Sequence, residues 1–271
     1  WANRHSRRSV KILGCLLGLL VCSSLDGNSL TKAWSQDANS RRDKTALGER
    51  AAKLFAIENL VPWCIVPFDA AKRTPEQRVT MLRELGLSCC AYDWRDEHIA
   101  TFEQEILAYR AGEIQFFAFW AWHEQAAALF EQHQLKPQFW VMIPDPGERP
   151  QVERVSQAAD HLMDIATRTQ KLGAPLSLYN HGGWSGQPEN MIAVCDELHR
   201  RDLPHVGIVY NFHHAHDRIH DWASIFPQLK RYLHCLNLNG MNDDANPKIL
   251  AIGAGQHERA MIRVILEHDY Q

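Results

Sequence analysis

The feature that most constrains the fold is an alternation. Short apolar runs rich in β-branched and aromatic residues are separated by amphipathic segments carrying helix start and stop signals. The runs are Asn59 to Cys64, Leu87 to Tyr92, Ile114 to Trp120, Gln138 to Ile143, one opening at Pro175, one opening at Val206, and His234 to Leu238. Between the first two, Thr74-Pro75-Glu76-Gln77 reads as a helix start, with Thr74 as N-cap, Pro75 in the first turn and Gln77 three residues after the cap. Val79, Leu82 and Leu85 lie along one face, and Gly86 stops the segment. Thr101 to Gln104 repeats the capping signature, and that helix stops at Gly112. Further helices are expected over 124–134, over 151–172 with Gly173 as terminator, from Pro188, through Trp222 to Leu229, and over 257–266. Strands that each wait for a helix before the next strand make a parallel sheet, because a parallel pair needs a crossover.

The strand starts recur about every 25 to 37 residues, the cadence of a closed βα barrel. A doubly wound open sheet would carry a glycine-rich turn after its first strand. Here the loop after Cys64 reads IVPFDAAKR, so no nucleotide cofactor is expected. The expected architecture is a (β/α)8 TIM barrel. Seven strands are counted, and the sequence stops at Tyr270-Gln271 where the eighth is due, so the eighth strand is expected to be missing from this sequence. The expected organisation is a signal peptide over 1–35, a polar linker over 36–46, and the barrel over 47–271, with residues 47–57 forming a short helix that closes its bottom.

Composition narrows the function. Of 271 residues, 45% are hydrophobic, enough for a sizeable core, and the net charge is −3 with no basic stripe beyond the N-terminus. A nucleic-acid surface needs clustered Lys and Arg, so no nucleic-acid partner is expected. Arg4, Arg7, Arg8 and Lys11 precede an apolar run from Ile12 to Cys22, too short to span a bilayer and suited to a signal-peptide core. Ser6 to Lys11 resembles a twin-arginine export signal, and Ala33-Trp34-Ser35 offers a cleavage site. An uncleaved anchor and lipidation at Cys22 are the alternatives. The mature chain is expected in the periplasm or cell envelope, without a stable membrane span. Cleavage leaves Cys64, Cys89, Cys90, Cys195 and Cys235, an odd set without a CxxC pair, read as buried free thiols. Nothing in the sequence speaks to oligomeric state.

The chemistry-bearing stretch runs from Pro175 to His216. PLSLYNHGGW and HVGIVYNFHHAH are two apolar runs that each end abruptly in Asn, His and Gly. Ligands of parallel α/β folds bind at the carboxyl ends of strands, so these ends are read as the floor of the site. His181 and His214 are the acid/base candidates, since histidine titrates near neutrality. Asp93 is a candidate base and Arg95 a candidate substrate anchor, a plain surface pairing among Asp93, Arg95 and Asp96 being the alternative. Asn180, Asn211, Asn237 and Asn239 are substrate-binding candidates, although Asn237 and Asn239 share a face only in a regular strand. Trp63, Trp120, Trp122 and Trp184 offer indole faces that suit a sugar as well as a core. The HHAH cluster at 213–216 does not aim all its rings at one ion.

These residues, in this order, resemble the xylose isomerase-like TIM barrels, the sugar phosphate isomerase/epimerase superfamily related to endonuclease IV. The resemblance runs from about Asn59 to the end, and is carried by LYNHGGW at 178–184, by Asn211-x-x-His214, and by KILAIGAGQHERAMIRVILEHDY at 248–270. It implies a small sugar substrate and a divalent metal (Mn, Mg, Co or Zn) held by a Glu, an Asp-x-x-His, a His and a final Glu at successive strand ends. The chain departs from that set. Tyr179 stands for the first Glu, Asn211 for the Asp with His214 kept, and Asn237 or Asn239 for the His. A hard cation prefers anionic oxygen, so a site reduced to His214 and Asn211 is expected to be lost or much weakened. Two readings follow: an exported sugar isomerase or epimerase-like enzyme working by proton transfer, or a catalytically degenerate barrel that binds carbohydrate or a protein partner. A DNA-repair nuclease would need a multi-zinc ligand set that this sequence does not supply.

Overall fold

The computed structural model describes residues 45–270. The expected signal peptide and all but the last two residues of the expected linker lie outside them. Residues 46–271 form one compact unit. Six strands, β1 (Cys89–Asp93), β2 (Gln115–Trp120), β3 (Gln138–Met142), β4 (Leu176–Tyr179), β5 (Val206–Asn211) and β6 (Leu233–Asn237), form one sheet in sequential order. Every neighbouring pair is parallel. A doubly wound sheet reverses its strand order part-way, whereas a sheet that never reverses curls into a barrel. The fold is therefore a TIM barrel in incomplete form, with six strands among the described residues.

The helices are α1 (residues 45–54), α2 (Pro75–Glu84), α3 (Phe102–Ala111), α4 (Glu124–Gln132), α5 (Gln151–Leu172), α6 (Pro188–Arg200), α7 (Trp222–Leu229) and α8 (Glu258–Glu267). Local chemistry sets several boundaries. Thr74 caps α2 in a full capping box with Gln77. Gly173 closes α5 at φ 68°, a left-handed turn that glycine adopts without a Cβ clash. α1 already includes residues 45 and 46, so the expected linker gives way to helix sooner than composition suggested. Leu54 packs on the main core, and Arg50 donates to the Leu266 carbonyl at 3.0 Å, so α1 lies along α8.

Two expectations are corrected. Residues 59–64 are not a strand. Pro62 has no N–H to give a ladder, and Cys64 turns to φ 60°, so the segment keeps one backbone bond to β1, from Ala91 N to Pro62 O at 3.0 Å. Thr101 does not cap α3. A 3-10 turn over Asp96–Thr101 runs straight into the helix, and the Thr101 hydroxyl donates back to His98 O instead.

Strand alternation sorts the core into two layers. Outward-facing Tyr92, Phe119, Phe139, Leu178, Ile208 and Tyr210 pack under the helices. Inward-facing Ala91, Ala118, Trp140, Tyr179 and Val209 form the barrel interior, with Trp63 and Trp120 against them. Beneath Trp140 is a polar floor. The Ser177 hydroxyl sits 2.8 Å from His234 Nδ1, and Gln138 Oε1 accepts from Ser177 and from Trp140 Nε1 at 3.3 and 3.0 Å. Gly207 is required there, since a Cβ would fall 2.4 Å from His234 Nε2. Outside the barrel, Arg78 on α2 grips Glu105 on α3 in a buried two-point ion pair. No helix among the described residues is long and apolar enough to cross a membrane.

Candidate functional site at the strand ends

The inner face at the carboxyl ends is built from the last residue of each strand: Asp93, Trp120, Met142, Tyr179, Asn211 and Asn237. Tyr179, Asn180 and Asn211 form one buried unit. Asn180 donates from Nδ2 to Asn211 O at 3.0 Å, and its Oδ1 accepts from Asn211 N at 2.6 Å. Its amide thus acts as a miniature strand partner that clasps β4 to β5. The Asn211 side chain is engaged in turn: Nδ2 donates to the Tyr179 hydroxyl at 2.5 Å, and Oδ1 accepts from His213 N at 2.9 Å. Asn180 is fully buried. The structure therefore gives Asn180 and Asn211 architectural work, with their polar atoms spent on each other, on Tyr179 and on His213.

The Tyr179 hydroxyl oxygen accepts a hydrogen bond from Asn211 Nδ2 and keeps its own proton to donate. Burial pushes its pKa well above the ordinary phenol value. Beyond it the histidines gather. His181 and His214 have ring centroids 4.4 Å apart, His213 and His214 are 4.8 Å apart, and Tyr179 meets His214 edge-on at 5.7 Å. Burial, followed by the charges of His181, His213, Lys248 and His216, pulls the His214 pKa down to about 4. His214 is therefore a neutral base at physiological pH. His181 is exposed beside Gly182 and Gly183, at φ 83° and 62°, where no atom stands within 4 Å of a would-be Cβ. Tyr179, His181, Gly182, Gly183 and Trp184 line a cleft of about 140 Å³ with Met142 and Asp145 on its far wall.

The aromatic candidates divide. Trp63 enters the barrel from the loop before β1 and meets Trp120 at 6.1 Å, Trp140 at 5.4 Å and Tyr179 at 5.6 Å. Trp120 packs edge-on against Tyr179 at 4.5 Å. Trp184 is pinned from outside the barrel, donating to Gln151 Oε1 at 2.9 Å beneath the Arg154 guanidinium at 4.7 Å. Trp122, two residues beyond the end of β2, lies under the Arg168 guanidinium at 4.5 Å and packs on Phe139 of the outer layer at 4.9 Å.

Asp93 is 2% exposed at the end of β1, and its Oδ1 has no hydrogen-bond partner. Burial raises its pKa to about 6, against opposing hydrogen bonds from its own backbone and Cys64 and the charge of Arg95. In place of the alternative surface pairing with Asp93 or Asp96, Arg95 makes other contacts. Its guanidinium donates to Trp94 O at 2.7 Å and lies 5.7 Å over the Phe68 ring. Cys64 faces Asp93, and burial first, then that carboxylate, lift its thiol to about 12. The five described cysteines are free.

Asn237 and Asn239 do not act together. β6 ends at Asn237, whose Nδ2 is buried without a partner, while Asn239 turns onto its own loop and donates to Gly240 O at 2.8 Å. Sequence reasoning missed Glu258. It is 2% exposed and accepts from Met241 N, Gly253 N and Gly255 N at 2.9, 3.0 and 2.8 Å. Burial works to raise its pKa, but these donors outweigh it and hold the carboxyl below its ordinary value. Its position three residues after Gly255, opening the last helix, is the signal that could have found it.

The donor set does not fit the divalent ion that the family resemblance implies. At the end of β4 the oxygen is a neutral phenol, and at β5 it is an amide already bonded to two neighbours. His214 is left without an anionic co-ligand, and among the described residues no group of three or more His, Cys, Asp or Glu is arranged to hold a metal ion.

No protein-family model matches the sequence, and no curated relative matches it. Solved structures do match. The apo 3-keto-D-glucoside 4-epimerase YcjR from E. coli is 12% identical, with 78% of this chain and 87% of that chain covered and a TM-score of 0.56. The probable 3-DHS dehydratase AsbF from Bacillus anthracis is 13% identical over 78% and 89%, at 0.58. A xylose isomerase domain protein from Planctomyces limnophilus is 12% identical over 72% and 80%, at 0.54. At these identities the likeness is one of fold: this chain shares the TIM-barrel fold of these proteins, a xylose isomerase domain protein among them.

Proposed function

We propose that this is an exported sugar isomerase or epimerase-like enzyme that moves a proton next to the carbonyl of a sugar or keto-sugar, using its own side chains where the family pattern would use a metal. The observation that carries this reading is the His181–His214 pair, 4.4 Å apart at adjoining strand ends and beside a phenol whose proton is free to donate. Neutral His214 takes the proton from the carbon next to the carbonyl. The C–H electron pair moves into the enolate, whose oxygen accepts a hydrogen bond from the Tyr179 hydroxyl, so a preorganised donor meets the charge as it forms. The enolate in turn stabilises the imidazolium, which offsets the weakness of His214 as a base. His181, exposed at the rim, returns a proton either to the same carbon from the opposite face, giving the epimer, or, once the adjoining hydroxyl has passed its proton to the enolate oxygen, to the former carbonyl carbon, giving the isomer; His214 then releases its proton to solvent and His181 takes one up, which restores both rings. Export rests on the N-terminal sequence alone.

The Tyr179–Asn211–Asn180 lock favours a second reading, a barrel that binds carbohydrate without turning it over, since those polar atoms serve the backbone. The deciding experiment incubates chelator-treated full-length protein with ketohexoses in D2O and follows the C–H signals next to the carbonyl by NMR. Deuterium incorporation that His214→Gln abolishes supports the enzyme. Binding without incorporation supports the second reading. Incorporation that appears only after Mn, Mg, Co or Zn is added overturns the metal-free mechanism.

A further inference from the structure

The cleft beside His181 has a second wall, built by the loop that follows β3. Met142 pairs with Tyr179 in the β3–β4 ladder, so this loop stands next to the one that carries His181. It reads Pro144-Asp145-Pro146-Gly147. The prolines fix φ on either side of Asp145, and a residue that precedes proline is held extended, so the carboxylate is presented on a stiff turn. Met142, Asp145, Tyr179, His181, Trp184 and Ser185 line the same cleft. Arg154 ties its two walls together, with its guanidinium 3.8 Å from Asp145 Oδ1 and 4.7 Å over the Trp184 ring. Asp145 Oδ1 also accepts from Gly147 N at 2.9 Å, while Oδ2 has no hydrogen bond among the described residues. On the facing loop, Ser185 Oγ is buried and has no hydrogen-bond partner among them either. Of the described residues that line the cleft, Asp145 alone carries a permanent charge.

We propose that Asp145 and Ser185 set the specificity of this cleft for an uncharged polyhydroxy sugar, with one hydroxyl donating to Asp145 Oδ2 and a second satisfying Ser185 Oγ. The inference rests on the proton-transfer reading for the other end of the sugar, whose carbonyl reaches Tyr179 and the His181–His214 pair. It adds the substrate's charge and the residues that read it. An ionised carboxylate only accepts, so what it takes from a sugar is a hydroxyl proton. It also repels a second anion, since a sugar acid or sugar phosphate would set like charges against each other across a narrow cleft. Arg154 already stands beside the carboxylate, so a neutral hydroxyl suits this wall better than a cationic amino sugar.

The test is calorimetric binding to the chelator-treated full-length protein. The probes are D-fructose, D-tagatose and D-sorbose as neutral ketohexoses, 2-keto-D-gluconate as the carboxylate and D-fructose 6-phosphate as the dianion. At least one ketohexose is expected to bind about tenfold or more tighter than either anion, about 1.4 kcal/mol or more. Asp145→Ala is expected to erase that preference by weakening the ketohexose and admitting the anions. Asp145→Asn keeps an acceptor without the charge, so it should admit the anions while restoring part of the ketohexose affinity. Ser185→Ala should weaken the ketohexose about threefold or more. Asp164→Ala, which removes an exposed acid of α5 paired with Arg168, should leave the preference intact. Anions that bind as well as the ketohexoses, a preference that survives Asp145→Ala, or no ketohexose binding overturns the proposal. Deuterium incorporation is read separately: a neutral-sugar preference without it leaves this inference standing and removes only the chemistry, whereas incorporation by a protein that shows no such preference removes this inference alone.

Discussion

Two regions of the same sheet solve the burial of polar groups in opposite ways. At β4 and β5, Tyr179, Asn180, Asn211 and the His213 backbone satisfy one another, and none of the Tyr or Asn side chains carries a charge. At β1, Asp93 is the one carboxylate among the six strand-terminal residues, nearly as deeply buried but with an oxygen left unpartnered. The first region is internally satisfied and neutral, and under the proposed function the chemistry falls to the histidines standing on it. The second stores an electrostatic cost. In a medium less polarisable than water an unpaired carboxylate resists ionisation, and Asp93 titrates near 6 rather than in the ordinary carboxylate range. The contrast separates residues that hold a site from residues that are held in it.

Four variants test this contrast, the first with the largest expected effect. His214→Gln should lower proton exchange by about 10²- to 10⁴-fold, the usual worth of a positioned base, while leaving the urea midpoint within experimental error. A large loss of stability instead would place His214 with the architectural residues. Asn180→Ala should do the reverse. It strands the Asn211 N–H and C=O away from water, at about 1–3 kcal/mol each, and urea unfolding should report a loss of about 2–6 kcal/mol.

Asp93→Asn tests the other end through pH. A carboxyl with a raised folded-state pKa binds its proton more tightly when folded. Its contribution is fully present below the unfolded value near 4 and is lost as pH rises through the folded value near 6. Wild-type stability should therefore fall across pH 4–6 by up to about 3 kcal/mol from this group, and the Asn variant should lack that slope. Parallel urea titrations at pH 4, 5, 6 and 7 check it, and identical slopes would refute the assignment. The smallest effect is expected for Asn237→Ala. Its Nδ2 has no partner to lose, so thermal unfolding should register a change under about 1 kcal/mol, far below Asn180→Ala.

Much of the fold could be read from local rules. The capping box at Thr74, the terminator at Gly173 and the first-turn proline at Pro188 act within a few residues, and each stands where its chemistry requires. Thr101 failed because the same side chain serves equally well in the 3-10 turn that precedes α3, a choice made by the chain entering the helix rather than by the cap. The run at 59–64 misled because apolar content alone does not tell a strand from a segment that plugs a barrel. Pro62 was the visible warning, and Trp63 turning in toward Trp140 and Tyr179 was not visible at all.

The sequence by itself determined the alternation of strand and helix, the parallel sheet that follows from it, and the gathering of Asn and His at two successive strand ends, because those depend on periodicity and on which residues end a buried run. Only the tertiary structure decided which of those polar groups are free to act. Asn180 and Asn211 are 31 positions apart, and nothing along the chain reveals that one amide satisfies the other's backbone. Asp93 and Cys64 are likewise ordinary in sequence. Their shifted proton affinities arise from burial beneath the loop that brings Trp63 into the barrel, and desolvation is a property of the surroundings rather than of the residue.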